Sequence, residues 1–402
     1  MATIRVFLLL ALWSSCGQLV LGRSGTMDDW IRLNNTLFSN YSKEIYPVYD
    51  FNDTLVINTA MFLLSILDFD EIAGVITLNG GVGFSWTDFR LTWDPSNFGG
   101  IEDILINSTL AWTPKAYLLN TAEDMEPFNL KDFGIRLMYN GNCFIAPGKI
   151  MKATCSVDMS DFPLDSHLCS ILITLWGVHI DETRLGYNST EFIMQYYTAN
   201  GEWDIVDTSV AYSTATVYGV FFNINIKRRP IFFALSLIIP ILLLCFLNPF
   251  VFLIPASSGE RISYTITMFL ALAVYMSIIG DSLPSISENM AGMSFFLLIT
   301  LICSSSLIIL TIFTLRYEAL SDVSDFPRII RRLTICFMKK GKNKVNARIH
   351  CVDEKEEQRE TDEIDCDIKK DDVIRWVNLS LFVTSQIVTM IVIIWFFCHL
   401  FT

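Results

Sequence analysis

The chain has 402 residues, 52% of them hydrophobic, a mean hydropathy of +0.44 and a net charge of −13. That apolar content exceeds what an ordinary soluble domain carries, and the length allows two or three domains. Bases cluster only beside apolar segments of an otherwise acidic chain, which excludes a nucleic-acid binder.

Residues 1–22 read as a secretory signal: Arg5, an apolar run from Val6 to Trp13, then small residues ending at Gly22. A signal anchor is the alternative, but the run is too short to span comfortably. Cleavage near Gly22 leaves the new N-terminus outside the cell. Residues 23–228 then form one extracellular domain. Asp28–Tyr41 has the pattern of a short helix, and the remainder has the texture of an all-β domain. In Thr87–Trp93, for example, Phe89, Leu91 and Trp93 share one face. Asn79-Gly80, Asn140-Gly141 and Asn200-Gly201 predict hairpin turns. About ten strands fit, which predicts a β-sandwich of immunoglobulin-like type. Gly80-Gly81-x-Gly83 precedes no βα unit and reads as a turn rather than a phosphate cradle. Glycosylation sequons begin at Asn34, Asn40, Asn52, Asn107 and Asn188. Arg23–Arg228 holds 25 acidic against 12 basic residues. Such a balance would concentrate cations near a pore mouth, or simply keep a secreted domain soluble.

Cys155 and Cys169 stand in a Cys-x13-Cys arrangement that brackets Phe162-Pro163-Leu164-Asp165. Cys143 is the remaining cysteine of the domain once the signal is removed, and is expected to be free or intermolecular. Cys245, Cys303 and Cys398 fall in apolar segments, and Cys336, Cys351 and Cys366 between the last two of them.

Four segments are long enough to span a bilayer: Ile231–Ile254, Ile262–Ile279, Ser294–Leu315 and Val373–Phe401. Residues 229–315 thus hold three spans and 373–402 the fourth, with 316–372 as a cytoplasmic loop. Arg316–Arg348 has nine basic and three acidic residues, as the positive-inside rule requires, and both termini then lie outside. Asn378 begins a further sequon, but on the cytoplasmic side, where it should stay bare. Within the loop, Pro327–Met338 suits an amphipathic helix on the inner leaflet. Asp353–Asp372, with eleven carboxylates and four bases, suits a charged helix running into the last span. A solvated loop is the alternative for both.

The second span carries the strongest functional pattern. Steps of three or four residues place Ser263, Thr267, Leu270, Val274, Ile278 and Asp281 on one helical stripe, with Glu260 at its cytoplasmic end. The stripe is polar at one end, apolar in the middle and anionic at the other. Ser and Thr alone would be explained by hydrogen bonds between packed helices. Carboxylates at both ends are better explained by a helix lining a water-filled pore. Rings of Glu260 and Asp281 would attract cations, and rings of Leu270 and Val274 would close the path by dewetting.

Several motifs follow one another in the order seen in the Cys-loop pentameric ligand-gated ion channels. They are Trp86-Thr87-Asp88, Trp93, Trp112-x-Pro114, the bracketed Phe-Pro-x-Asp, Gly201-Glu202-Trp203-Asp204, Pro240 and Pro284. Ser257-Ser258-Gly259-Glu260-Arg261-Ile262-Ser263 resembles the nicotinic, cation-selective branch and lacks the Pro-Ala insertion of anion-selective relatives. Ser257 departs from the additional carboxylate common there, which leaves calcium permeability open. The resemblance covers nearly the whole chain. It implies an all-β extracellular immunoglobulin-like sandwich on an α-helical four-span transmembrane bundle, assembled as a homo- or heteropentamer at the plasma membrane. It also implies a Cys155–Cys169 disulfide; an ordinary structural bridge would read the same. Implied partners are four further subunits, a small-molecule agonist, permeant monovalent cations and membrane lipid.

Glu71 matches the coupling glutamate of such channels and Arg228 the arginine before the first span, a pair that would be partly buried or else a weak surface pair. Phe162 and Pro163 would press on the linker near Pro284. Trp176, seven residues after Cys169, matches the principal tryptophan of an aromatic cage for a quaternary ammonium, with Tyr212 and Tyr218 in the capping hairpin. Trp176 as a packed aromatic is the competing reading. The cage departs from the family: Leu119 replaces its first tyrosine, Gly81 the tryptophan that a neighbouring subunit would supply, and Val217 aligns with its last tyrosine. The adjacent cysteine pair of agonist-binding subunits is missing from Asp207–Tyr218. An accessory subunit and a non-conducting four-span surface protein are therefore carried as alternatives. Enzyme signatures are absent: four scattered histidines have no metal-ligand spacing, and no cofactor is called for.

Overall fold

Alternation of apolar and polar residues builds strands before Pro230, and long apolar runs build helices after it. A computed structural model describes residues 25–50, 52–213, 218–283, 292–319 and 370–400. They divide into two units. One holds residues up to Val157 together with Ser166–Arg229, and the other holds Asp158–Asp165 with the residues from Pro230 onward. The signal segment, Val217, Pro284 and the two helices expected in the cytoplasmic loop lie outside the described residues, except that the last helix begins at Lys370.

In the β unit, helix α1 (Met27–Phe38) starts from Thr26, whose hydroxyl accepts from the Asp29 amide at 3.2 Å while Asp29 accepts from the Thr26 amide at 3.0 Å. This reciprocal cap satisfies amide groups that the first turn leaves unpaired. The helix stops at Phe38 rather than running to Tyr41, because the Tyr41 phenol is drawn inward to Asp88. Eleven strands follow among the described residues: β1 (Leu55–Asp70), β2 (Val75–Thr92), β3 (Asp103–Asn107), β4 (Ala116–Leu118), β5 (Gly134–Met138), β6 (Asn140–Ile145), β7 (Gly148–Thr154), β8 (Ser166–Leu175), β9 (Thr183–Tyr187), β10 (Trp203–Ser213) and β11 (Gly219–Arg228). The larger sheet runs β3-β5-β6-β2-β1-β9 with β7 also on β2; the smaller runs β10-β11-β8-β4. Inward residues of the two sheets, among them Ile57, Met61, Phe84, Ile171, Ile173, Phe222 and Ile224, form one buried core.

Two of the three expected Asn-Gly hairpins are corrected. Asn79 and Gly80 lie inside β2, paired with Ser65 and Leu63 of β1. A Cβ on Gly80 would sit 2.3 Å from the Phe62 carbonyl oxygen, so glycine here serves close strand approach and not a turn. Gly80-Gly81-x-Gly83 is thus a strand segment, not the expected turn. Asn200 leads into β10 without forming a hairpin, its side chain accepting from the amides of Glu202 and Trp203. Only Asn140-Gly141 stands at a hairpin, between β5 and β6, with Gly141 at φ 82°.

A polar cluster fastens the N-terminal segment to β2. Asp88 is buried and receives two Arg90 nitrogens at 2.8 Å each, plus the Tyr41 hydroxyl at 2.8 Å. Tyr41 in turn accepts from the Trp112 amide at 3.0 Å. Burial, reinforced by the Asp88 charge, raises the Tyr41 phenol above its ordinary range. Cys143 is free and buried, its thiol pushed up to about 12 by burial and by Asp88. Of the two expected states, the free thiol is the one this single chain shows.

Among its described residues, the helical unit contains four helices long and apolar enough to cross a membrane. The first, α2 (Ile231–Leu253), includes a π-helical turn at Ala234–Ile238 just before Pro240 and a 3-10 segment at Asn248–Leu253. A proline without an amide proton widens the turn that precedes it. The others are α3 (Arg261–Ser282), α4 (Gly292–Glu318) and α5 (Lys370–Leu400). Val251 and Phe252 pack on Leu307 with Tyr264, Leu381 and Phe382, and Phe296 stacks on Phe396 at 4.4 Å. Asn378 is buried on α5.

Replacing Asp88 by Ala leaves the Arg90 guanidinium without its carboxylate, which typically costs about 3–5 kcal/mol. Unfolding of the purified full chain should lose that stability in a denaturant titration, whereas Asp103→Ala at an exposed pair with Arg136 should lose less than about 1 kcal/mol.

Candidate functional site

The candidate residues fall into three groups. Glu260, at the N-cap of α3, and Ser263, Thr267, Leu270, Val274, Ile278 and Asp281 on the helix are all exposed. At about 100° per residue, the six from Ser263 to Asp281 cover an arc of roughly 80°. Arg261, Thr265, Met268, Leu272 and Ile279 are buried and fall on the opposite side. The contrast is sharp, Leu270 being 61% exposed and Leu272 2%. Thr267 donates to the Ser263 carbonyl of its own helix at 2.8 Å, not to a neighbouring helix.

Adjacent charges at the start of α3 part company. Glu260 is exposed, whereas Arg261 is buried, donates through Nε to the Ile254 carbonyl and lies 3.4 Å from Glu318 at the end of α4. A guanidinium removed from water requires such partners. Glu318 escapes sequence reasoning because nothing in the run of α4 marks it as facing α3.

The second group is an aromatic cleft of about 380 Å³ in the β unit. Trp176 after β8 and Tyr218 before β11 both line it, tied by a hydrogen bond of 2.7 Å from the Thr174 hydroxyl to the Tyr218 carbonyl. Both side chains are exposed, so the packed-aromatic reading of Trp176 does not hold for the isolated chain. Tyr212 is not among the lining residues and instead meets Tyr187 ring to ring at 4.5 Å. Leu119 lies outside the lining and Gly81 lies within β2. Arg184 of β9, which no motif singled out, is in the lining. Only strand register could have found it.

The third group is divided between the two units, and the Cys155–Cys169 disulfide expected beside it in sequence is formed. In the β unit, Arg228 is buried, 2.6 Å from Glu71, with its guanidinium 4.4 Å from the Trp203 ring centroid. In the helical unit, Phe162 and Pro163 are buried, and Phe162 meets Phe233 edge-on at 5.3 Å. The Gly292 amide donates to the Ser160 carbonyl at 3.2 Å. Among the sequon asparagines, Asn40, Asn52, Asn107 and Asn188 are exposed and Asn34 is half-buried. Among the described residues no group of His, Cys, Asp or Glu could hold a metal ion.

A two-sheet domain, a bridged loop and four apolar helices in this order are matched by known proteins. Residues 31–230 match the neurotransmitter-gated ion-channel ligand binding domain, and 237–373 match the neurotransmitter-gated ion-channel transmembrane region. The chain belongs to this family of ligand-gated channels. It is 27% identical to the acetylcholine receptor subunit beta-type unc-29 of Caenorhabditis elegans, over 78% of this chain and 64% of the relative. It is 30% identical to the neuronal acetylcholine receptor subunit alpha-4 of Mustela putorius furo (75% and 49% covered) and to the alpha-6 subunit of Rattus norvegicus (76% and 63%). It thus spans between about half and just under two thirds of the length of these relatives. Within the family it is nicotinic-like.

The Glu71–Arg228 pair can be weighed by a double-mutant cycle with Glu71→Gln and Arg228→Gln. Because Arg228 is buried and Glu71 about one-fifth exposed, a coupling of roughly 2–3 kcal/mol is expected in unfolding of the full chain. A coupling near zero would mark the pair as a weak surface contact.

Proposed function

We propose that this chain is one subunit of a pentameric, cation-selective channel of nicotinic type at the plasma membrane, opened by a small extracellular ligand bound between subunits. The reading is carried by α3. A helix that buries one side and leaves polar, apolar and anionic zones on the other suits a position around a water-filled axis. With about 1.5 Å per residue, Glu260 and Asp281 stand roughly 32 Å apart, close to the thickness of the hydrocarbon core. Anionic rings would then stand at both mouths, and Leu270 and Val274 would form the constriction between. Burial of Arg261 supports cation selectivity, since it removes the one positive charge next to Glu260 from the exposed side.

Opening would run from the ligand to α3 through the residues of the third group. In this reading Glu71 and Arg228 stiffen the base of the β unit, while Phe162 and Pro163 transmit its movement towards Pro284. Both chain termini would lie outside, four further subunits would complete the ring, and sodium and potassium would be the principal permeant ions. The sequons at Asn34, Asn40, Asn52, Asn107 and Asn188 would then be available to glycosylation. A second reading is favoured by the incomplete cage at Leu119 and Gly81: an accessory subunit that needs an agonist-binding partner.

Voltage-clamped cells expressing the chain, alone and with nicotinic subunits, provide the test. Leu270→Thr should wet the constriction and produce a standing current without ligand. Glu260→Lys should cut cation current at least tenfold and move the reversal potential towards that of chloride. Current only on co-expression would assign the accessory role, and surface expression without current in every combination would leave a non-conducting surface protein.

A further inference from the structure

The aromatic cleft contains a charge that an ammonium site would be expected to avoid. Every other described arginine of the β unit is ion-paired: Arg32 with Asp29, Arg90 with Asp88, Arg136 with Asp103, Arg228 with Glu71 and Arg229 with Asp204. Within the β unit, Arg184 alone makes no ion pair among the described residues, although this domain carries about twice as many acids as bases. It is exposed and lines the same cleft as Trp176 and Tyr218. No carboxylate lines that cleft. The nearest candidate in sequence, Glu182, instead accepts from the His179 amide at 3.2 Å. Fixed on β9, whose Leu55↔Thr183 to Thr59↔Tyr187 register with β1 is continuous, the Arg184 backbone has little freedom to leave.

Two kinds of recognition are therefore present side by side. Trp176 and Tyr218 offer π-faces that attract a cation. Arg184 offers a planar fork of donors that matches a carboxylate and repels a cation without one. A ligand with only a quaternary ammonium satisfies the rings and opposes the guanidinium; a ligand with only a carboxylate leaves the rings unused.

We propose that this cleft takes a zwitterion, its ammonium group against the rings of Trp176 and Tyr218 and its carboxylate on Arg184. The inference rests on the channel reading for its biological role and names the ligand class of the proposed agonist site. Discrimination comes from the carboxylate, so two ligands sharing a trimethylammonium head should differ widely in affinity.

The matched probes are trimethylglycine and choline, which differ by a carboxylate in place of a hydroxymethyl group. Titration calorimetry on the full chain in lipid nanodiscs should give at least tenfold tighter binding of trimethylglycine. Arg184→Gln should remove that preference while leaving choline binding equal or tighter, and Arg184→Lys should keep part of it. Trp176→Ala should weaken both ligands. Because Arg184 is exposed and unpaired, an unchanged unfolding midpoint serves as the folding control. Choline bound as tightly as trimethylglycine, a preference that survives Arg184→Gln, or no binding of either probe would each overturn the proposal. Standing current from Leu270→Thr without zwitterion binding would sink this inference alone. Binding without current in any subunit combination would sink the channel reading and keep the ligand class.

Discussion

An arginine that leaves water must be met by opposite charge or by oxygen atoms, and this constraint organises both units. Asp88 and Arg90 hold the N-terminal segment to β2, and Arg228 is sealed between Glu71 and Trp203. Arg261 is enclosed by the Ile254 carbonyl and Glu318. Removing one partner from such a pair costs far more than an exposed pair contributes, because the remaining charge stays desolvated. The Glu71–Arg228 and Arg261–Glu318 pairs join residues far apart in the chain and so fix which neighbouring groups remain in water. Beside Arg261, the group left in water is Glu260.

Fold class was legible because its signals repeat. Alternation over eleven strands and four long apolar runs survive local exceptions, and the ordered Trp, Pro and Cys positions identify the topology. The exceptions have physical causes. Asn79-Gly80 reads as a hairpin turn, yet the pair lies mid-strand because β1 approaches β2 too closely for a side chain at residue 80. The same dipeptide serves at residues 140–141 as a true turn, and its own two residues do not distinguish the uses. Helix α1 ends early because a tertiary bond at Tyr41 outweighs helix propensity.

Site residues were legible where one element carries them all. The α3 stripe needs only helical spacing, so residues from Ser263 to Asp281 could be grouped directly. The aromatic cleft draws on β8, β9 and the start of β11, and there sequence distance says little. Trp176 and Tyr218 share the cleft, Tyr212 is engaged by Tyr187 instead, and Arg184 arrives through the parallel pairing of β9 with β1. Glu71 and Arg228 lie far apart in sequence, and only resemblance to the family could pair them in advance.

The neighbouring positions 260 and 261 show how helical rotation decides the sign of a proposed ion path. Read as composition, Glu260-Arg261 is neutral, and five copies around an axis would sum to nothing. The 100° between successive residues separates the two side chains, and Glu318 fixes the separation by holding Arg261 inward. Five carboxylates would then face water with no basic group beside them on that side. The field at the cytoplasmic mouth would thus depend on a residue of α4 that never touches the path. By the same logic, loss of Glu318 would return Arg261 towards water and weaken selectivity without altering a single exposed residue of α3.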